Sequence, residues 1–438
     1  MRKNKPEWWV ALGLLAAAAA CGVLSRQAPA PASGAAPAVA GDVAWMLTAS
    51  GLVLLMTPGL SFFYGGMVQR KNVLSTMLQS FIAMGVVSVL WVWFGFGLAF
   101  GDSVGGVIGN PASFLMFRGV GLSTNAVLAP TIPLALFAFF QLKFAIITPA
   151  LITGSFAERV RFSSYMLFMA LFLIFVYCPV AHWTWHPDGF LHKWGVLDFA
   201  GGAVVHMTAG FAALAGASFM GRRKAHVEGY PHVPANIAFV LLGTGMLWFG
   251  WFGFNAGSAL AANESAVQAF MTTHTASAAA MLGWVFFDAV RGRRPSAMGA
   301  AIGAVVGLVA ITPAAGYVSI GDSLFIGVAA SMISNVAVHW KSRSTLDDTL
   351  DVFPCHGVGG ITGMLLTAVF AQKGGLVNGD PTLFLYHCAA VAIVGGYSFL
   401  VSYALFYATD AAITLRVRPE QEEAGLDLSQ HAESLPAA

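Results

Sequence analysis

Charge is what this chain has least of. Asp, Glu, Lys and Arg make up 10% of its 438 residues, against about 25% in soluble globular domains. That shortage excludes an ordinary water-soluble domain. With 22 Lys+Arg against 20 Asp+Glu there is no basic excess to suit a nucleic-acid partner. Cysteine is scarce too: Cys21 lies in the leader and Cys178, Cys355 and Cys388 lie in apolar stretches, so no disulfide framework is expected. Strictly alternating runs of the kind a membrane β-barrel needs are missing. So are a phosphate-cradling glycine loop, a dinucleotide fingerprint and a Gly-x-Ser-x-Gly elbow. The reading is of a non-enzyme with no cofactor.

What is present is hydrocarbon: 57% of residues are hydrophobic and the mean hydropathy is +0.73. Eleven apolar segments cover roughly 43–66, 74–99, 131–156, 162–183, 199–220, 236–257, 270–290, 297–313, 322–340, 352–371 and 384–410, each near the ~20 residues a helix needs to cross the bilayer. An all-α polytopic membrane protein is expected, with the lipid bilayer as its surroundings. Ahead of these spans, Arg2, Lys3 and Lys5 precede an apolar run from Trp8 to Leu24 and then small-x-small sites such as Ala28-Pro29-Ala30 and Ala38-Val39-Ala40. This pattern is a secretory signal peptide, with an uncleaved anchor as the alternative. The chain therefore divides into a leader over 1–40, cleaved at about 30–40, a membrane domain over 41–411 and a tail over 412–438.

Basic residues alternate between connections. Arg70, Lys71, Arg159, Arg161, Arg222, Arg223, Lys224, Arg291, Arg293, Arg294, Lys341, Arg343, Arg416 and Arg418 occupy one set, and only Arg118, Lys193 and Lys373 the other. The positive-inside rule then puts the mature N-terminus outside and the C-terminal tail in the cytoplasm, which requires an odd number of spans. Gly201-Gly202, Gly359-Gly360 and Gly395-Gly396 are candidates for close helix contacts.

Two internal echoes compete. Trp93-Phe94-Gly95-Phe96 recurs as Trp251-Phe252-Gly253-Phe254 four spans later, while Asp198 with His206 is echoed by Asp351 with His356 five spans later. A five-span offset reverses direction and yields an inverted repeat around a midplane site, so the second echo is preferred. Ionisable groups at membrane depth are costly and mark functional sites, almost always facing an interior or cavity. Two histidines in similar positions of opposed helices point to a conduit in which neutral imidazoles, or a pair sharing a proton, meet a small polar permeant or relay a proton. The alternative is a pair of neutral histidines bonded to neighbouring helices. Asp198 reads as an N-cap whose charge also favours a cation, and Asp351 as a cap or tail-docking residue. Aromatics flank polar residues at Phe140-Gln141-Leu142-Lys143-Phe144, Trp183-Thr184-Trp185 and Trp251 to Ser258. Such rings attract a small cation at a pore mouth. His182 and His186 have the i, i+4 spacing of a metal pair with Asp188 nearby, but no glutamate lies between them and no metal is expected.

The run from Asp198 through His206 to Gly210 resembles the signature of the ammonium transporter (Amt/Mep/Rh) family, closest to bacterial AmtB-type channels. Phe62-Phe63-Tyr64-Gly65-Gly66-Met67, Gly154-Ser155-Phe156-Ala157-Glu158-Arg159, Trp251 to Ser258, Asp351 to Gly357 and Gly425-Leu426-Asp427 carry the same resemblance, in order, from about residue 43 to the tail. It implies a homotrimer of eleven-helix subunits in the bacterial cytoplasmic membrane, each with a central pore inside an inverted five-helix repeat. Trp185, Phe144 and Ser258 would recruit ammonium, Phe144 and Phe254 would gate the mouth, and His206 and His356 would line an apolar pore that conducts ammonia. Asp198 would support the cation electrostatically. The tail resembles tails that dock a trimeric PII signalling protein. A membrane ammonium sensor signalling through its tail is the alternative, and a metalloenzyme built on His182, His186 and Asp188 a third. The sequence departs from the family pattern at Lys143, beside a gate ring, at His186-Pro187-Asp188 after the recruiting tryptophan, and at Pro354 and Cys355.

Overall fold

The computed structural model describes residues 6–24 and 36–436. Ten helices among them are long and apolar enough to cross a membrane: α1 (Pro6–Leu24), α2 (Ala40–Met67), α3 (Arg70–Phe100), α4 (Leu134–Phe156), α5 (Phe162–Lys193), α6 (Gly202–Met220), α7 (Ile237–Gly257), α10 (Ile320–Ser342), α11 (Phe353–Phe370) and α12 (Thr382–Ala412). Two further helices, α8 (Glu264–Val290) and α9 (Ala297–Ile311), stand where the segments 270–290 and 297–313 were expected. Each falls short on one criterion for a physical reason. Gln268, Thr272, Thr273, His274, Thr275 and Ser277 dilute the apolar character of α8. The fifteen residues of α9 span only about 22 Å of axis, and nearly all are buried among other helices rather than facing lipid.

Residues 6–24, where a leader was expected, form α1, which is exposed apart from a half-buried Glu7 and a buried Ala18; much of the expected cleavage region lies outside the described residues. All four cysteines are free thiols. The loop between α3 and α4 is not purely irregular: Ser103–Val104 pairs antiparallel with Ile108–Gly109, and Thr124–Asn125 with Ala129–Pro133. Strands this short carry too few alternating positions to register in a hydropathy reading.

Small residues let helices approach where lipid offers no hydrophobic drive between them. A Cβ on Gly243 of α7 would strike the backbone of Phe63 on α2. Of the expected glycine contacts, Gly202 lies against Pro313 and Gly395 against the Phe211 ring, whereas Gly396 faces open space.

The basic connections gather at one end of the bundle in a buried ionic knot. Arg223 donates from Nε to Asp347 Oδ2 (2.9 Å), from Nη2 to Asp347 Oδ1 (2.9 Å) and from Nη1 to Glu158 Oε2 (2.7 Å). Arg159 donates to Thr349 Oγ1 at 2.7 Å and to the Asp347 carbonyl at 2.6 Å. Loops following α4 and α6 and preceding α11 are thereby tied together. The tail closes over this end. The backbone of Arg161 donates to the Leu415 carbonyl, Arg416 reaches the Met220 and Arg222 carbonyls, and the Asp427 carboxylate accepts the N–H groups of Leu74 and Ser75.

Burial alone would raise the Asp347 carboxyl, but the Arg223 hydrogen bonds and the Arg159 charge outweigh it and hold it below the usual carboxylate range. A depressed carboxylate stabilises the fold above the unfolded-state value, about 4, and that contribution fades as pH falls below it. Asp347→Asn leaves Arg223 partly unpaired and should cost about 3–5 kcal/mol. Thermal melts in detergent should show the variant losing less than wild type between pH 5 and 3. Equal acid sensitivity in the two proteins would remove Asp347 from the account.

Candidate functional site

Two helices begin part-way through the bundle and bring the histidines together. α6 opens with a π-helical turn at Gly202–Met207 and α11 with one at Phe353–Val358, and each turn carries a histidine. Such widened turns are rare and concentrate at functional sites. A helix that starts inside a protein leaves its first N–H groups without partners. At α6 they converge on Asp198: Oδ1 accepts from Gly201 (2.9 Å) and Gly202 (2.6 Å), and Oδ2 from Ala203 (2.9 Å) and Val204 (3.2 Å). Gly201 permits the turn with φ of +119°.

At α11 the corresponding acid is Asp348, which corrects the expectation for Asp351. Asp348 accepts from Val352 at 3.1 Å and Phe353 at 2.7 Å. Asp351 has φ of +57° and turns its carboxylate to Lys341 at 2.6 Å instead. Asp348 stands eight residues before His356, as Asp198 stands eight before His206. That equal interval was legible in the sequence, but the nearer Asp351 drew the pairing away from it.

The helices cross where Gly210 meets the Gly357 backbone, a contact with no room for a Cβ. The crossing leaves His206 Nδ1 and His356 Nδ1 3.2 Å apart, with both rings buried. Trp251 stacks on His206 at 5.4 Å and is fixed by its Nε1–H, which donates to Thr312 Oγ1 at 2.9 Å. Thr312 drew no attention in the sequence because a lone threonine in an apolar run carries no pattern. Toward the end opposite the basic knot, the Phe144 and Phe254 rings lie 4.2 Å apart, and Trp185 meets Phe144 edge-on at 5.7 Å. Trp185 Nε1–H donates to the Asp198 carbonyl at 3.0 Å. Ser258 donates its hydroxyl to the Phe254 carbonyl, which leaves its oxygen lone pairs free for another donor.

Two cavities of about 10 Å³ each lie on this line, each with room for one water-sized molecule. The first is lined by His206, His356, Trp251, Phe254, Phe63 and aliphatic side chains; the second continues past His356 to Tyr64, Leu350 and Val352. Among the described residues His206 Nε2 has no hydrogen-bond partner.

Other candidates fall elsewhere. His182 and His186 stack at 4.4 Å, but His182 is committed to Ser103 Oγ and the Ala99 carbonyl, while Asp188 pairs with Lys193. Lys143 projects away from the histidine line and lies over the Phe139 ring, Nζ 5.4 Å from its centroid.

A bundle of apolar helices enclosing a narrow file of aromatic and imidazole rings defines a membrane transport protein for a small permeant. The ammonium transporter family model matches residues 44–435, and the chain belongs to that family. It is 46% identical to a putative ammonium transporter of Methanothermobacter thermautotrophicus over 404 residues, 90% of this chain and 98% of that one. Among solved structures, Saccharomyces cerevisiae Mep2 superposes with a TM-score of 0.82 at 35% identity, covering 88% of this chain and 89% of its own. A protein described as a sensor Amt protein does so at 0.82 and 30% identity, covering 89% and 98%.

Proposed function

We propose that this protein carries ammonium nitrogen across the bacterial cytoplasmic membrane, conducting it past His206 and His356 as ammonia. The observation that carries the reading is the 3.2 Å imidazole pair inside a narrow apolar file. Trp185, Phe144 and Ser258 recruit the cation: the ring faces attract it and the free lone pairs of Ser258 accept one of its protons. Phe144 and Phe254 must part for anything to enter, since their rings stand in van der Waals contact. Asp198 biases this mouth toward positive charge without touching the permeant, because its oxygens are occupied by four backbone N–H groups.

Below the rings a cation loses its water, and bare charge in hydrocarbon is prohibitive. Ammonium escapes that cost by giving up a proton; potassium has none to give. In the neutral pair one Nδ1 donates to the other, so the two tautomers are opposite. One Nε2 is then a donor and the other an acceptor, which suits ammonia's lone pair and N–H groups in turn. A proton taken up at the acceptor Nε2, passage of the shared proton between the two Nδ1 atoms and release of the proton from the other Nε2 together reverse these roles and supply a relay.

The same reading takes α2 to α12 as eleven spans in an inverted five-helix repeat. The mature N-terminus lies outside, the tail lies in the cytoplasm, the cleaved leader comprises α1, and three copies assemble. The basic end holds a cleft of about 790 Å³ beside Arg70, Lys71, Arg223, Lys224 and the tail's Glu422 and Glu423, where a PII signalling protein would dock.

Purified protein in liposomes under an inward ammonium gradient should show uptake with no potassium flux under a matched gradient. Uptake no greater than in protein-free vesicles would overturn transport and favour the sensor reading.

A further inference from the structure

A third histidine is buried in the membrane domain away from the imidazole pair. His387, near the start of α12, is fully shielded from solvent and lines neither of the two cavities beside His206 and His356. Its Nε2 accepts the Leu197 N–H at 2.9 Å, and its Nδ1 lies 2.7 Å from the Met364 carbonyl. These partners fix the tautomer. A backbone N–H can only donate and a carbonyl can only accept, so Nδ1 carries the proton and Nε2 is bare. One neutral ring thereby ties together the loop ahead of α6, the helix α11 that bears His356, and α12.

The loop depends on such ties. Between the end of α5 and Gly202 the chain forms neither helix nor strand, yet Val196, Asp198 and Ala200 are buried. Irregular backbone inside a membrane protein must find partners for its N–H and C=O groups. Here the anchors flank Asp198. On one side Leu197 donates to His387, and on the other Phe199 donates to the Pro313 carbonyl at 3.1 Å. Between them the Asp198 carbonyl accepts the Trp185 indole N–H at 3.0 Å. That bond holds Trp185 edge-on to Phe144. Pro313 anchors through its backbone, whereas His387 anchors through a side chain.

We propose that His387 is a positioning residue for ammonium recruitment. By holding Leu197 it fixes the Asp198 carbonyl, and through that carbonyl the face of Trp185 offered to the cation. Without the imidazole the buried Leu197 N–H is stranded, the loop relaxes toward another acceptor, and Trp185 loses its fixed pose. The effect falls on affinity rather than passage, because the file below the gate rings is left intact. The proposal rests on the recruiting role of Trp185.

Asparagine and glutamine divide the two bonds. In His387→Asn the NH₂ falls near the Nδ1 position and still donates to Met364, but the side chain stops short of Leu197. In His387→Gln the amide reaches the Nε2 position and offers Leu197 a carbonyl oxygen. Uptake is measured in liposomes against ammonium concentration, with melting temperatures to show that each variant is folded. His387→Asn should raise the half-saturating concentration about fivefold, the usual weight of one net hydrogen bond, with maximal flux nearly unchanged. His387→Leu, which fills the space without accepting, should match it and serves if His387→Asn does not fold. His387→Gln should stay close to wild type. In a Trp185→Phe background, which lacks the indole N–H, His387→Asn should add little, since both changes break one chain of contacts.

A half-saturating concentration that stays at the wild-type value in the folded Asn and Leu variants would overturn the proposal. So would equal impairment in His387→Gln, full additivity with Trp185→Phe, or a fall in maximal flux at constant half-saturation. Wild type without saturable uptake would instead sink the recruitment reading, and this proposal with it.

Discussion

His206→Ala should lower ammonium flux in liposomes by at least about tenfold, the equivalent of one hydrogen bond of roughly 1.4 kcal/mol lost where no water can replace it. Three consequences converge on this residue. The ring supplies one half of the 3.2 Å imidazole contact, presents the unpartnered Nε2 to the cavity, and forms the surface on which Trp251 stacks. Alanine removes all three and leaves a void beside Trp251 and Phe254. A wider, wetter file no longer forces a cation to shed its water, so potassium should begin to cross. His356→Ala should behave similarly, and the double variant should be little worse than the poorer single one, because a pair that shares a proton fails as a unit. Flux and reversal potentials measured together check this. Unchanged ammonium flux with intact discrimination against potassium in both single variants would refute a conducting role for the pair.

Asp198→Ala should damage the protein more broadly. Its carboxylate is the common acceptor for four N–H groups at the buried start of α6, and alanine leaves them all unanswered. Each stranded buried donor costs about 1–3 kcal/mol. Even with partial relaxation the loss should reach 3 kcal/mol or more, a fall in apparent melting temperature of roughly 5 °C. Asp198→Asn should be intermediate: its oxygen can still accept two of the bonds, while its NH₂ opposes the remaining donors. Asp348→Ala should cost less, since among the described residues two N–H groups, those of Val352 and Phe353, donate to that carboxylate. Melts of the three variants beside flux measurements separate the roles. A purely electrostatic Asp198 would lower flux in both Ala and Asn variants without moving the melting temperature.

The histidines could be singled out because an imidazole in a run such as Ala203 to Met207 has no local explanation. Asp198 was readable for the same reason, from its place just before an apolar helix. Asp348 was harder: three acids crowd residues 347–351, and sequence spacing does not say which carboxylate faces the helix N-terminus. The backbone decides, since the left-handed φ at Asp351 sends that side chain to Lys341 while Asp348 is left facing the N–H groups.

Other gaps share that origin. Hydropathy located the segments of α8 and α9, but their separate shortfalls in polarity and length make sense only once neighbouring helices surround them. From its place beside Phe144, Lys143 either points away from the pore or alters cation entry. Adjacent residues on a helix point about 100° apart, and the packing of α4 against α2 turned the phenylalanine inward and the lysine toward lipid.

By itself the sequence determined that this chain is a membrane bundle, which residues are too polar to lie in lipid without a purpose, and the family it resembles. These are properties of composition and local order, and they survive without coordinates. Only the tertiary structure decided that His206 and His356 meet at 3.2 Å, that Thr312 holds Trp251, that Asp348 rather than Asp351 mirrors Asp198, and that Lys143 turns from the mouth. Each of these depends on where two helices distant in sequence cross. That crossing is set by the small residues at the contact, Gly210 against Gly357 above all, and pairwise fit across 147 residues of chain leaves no local pattern to read.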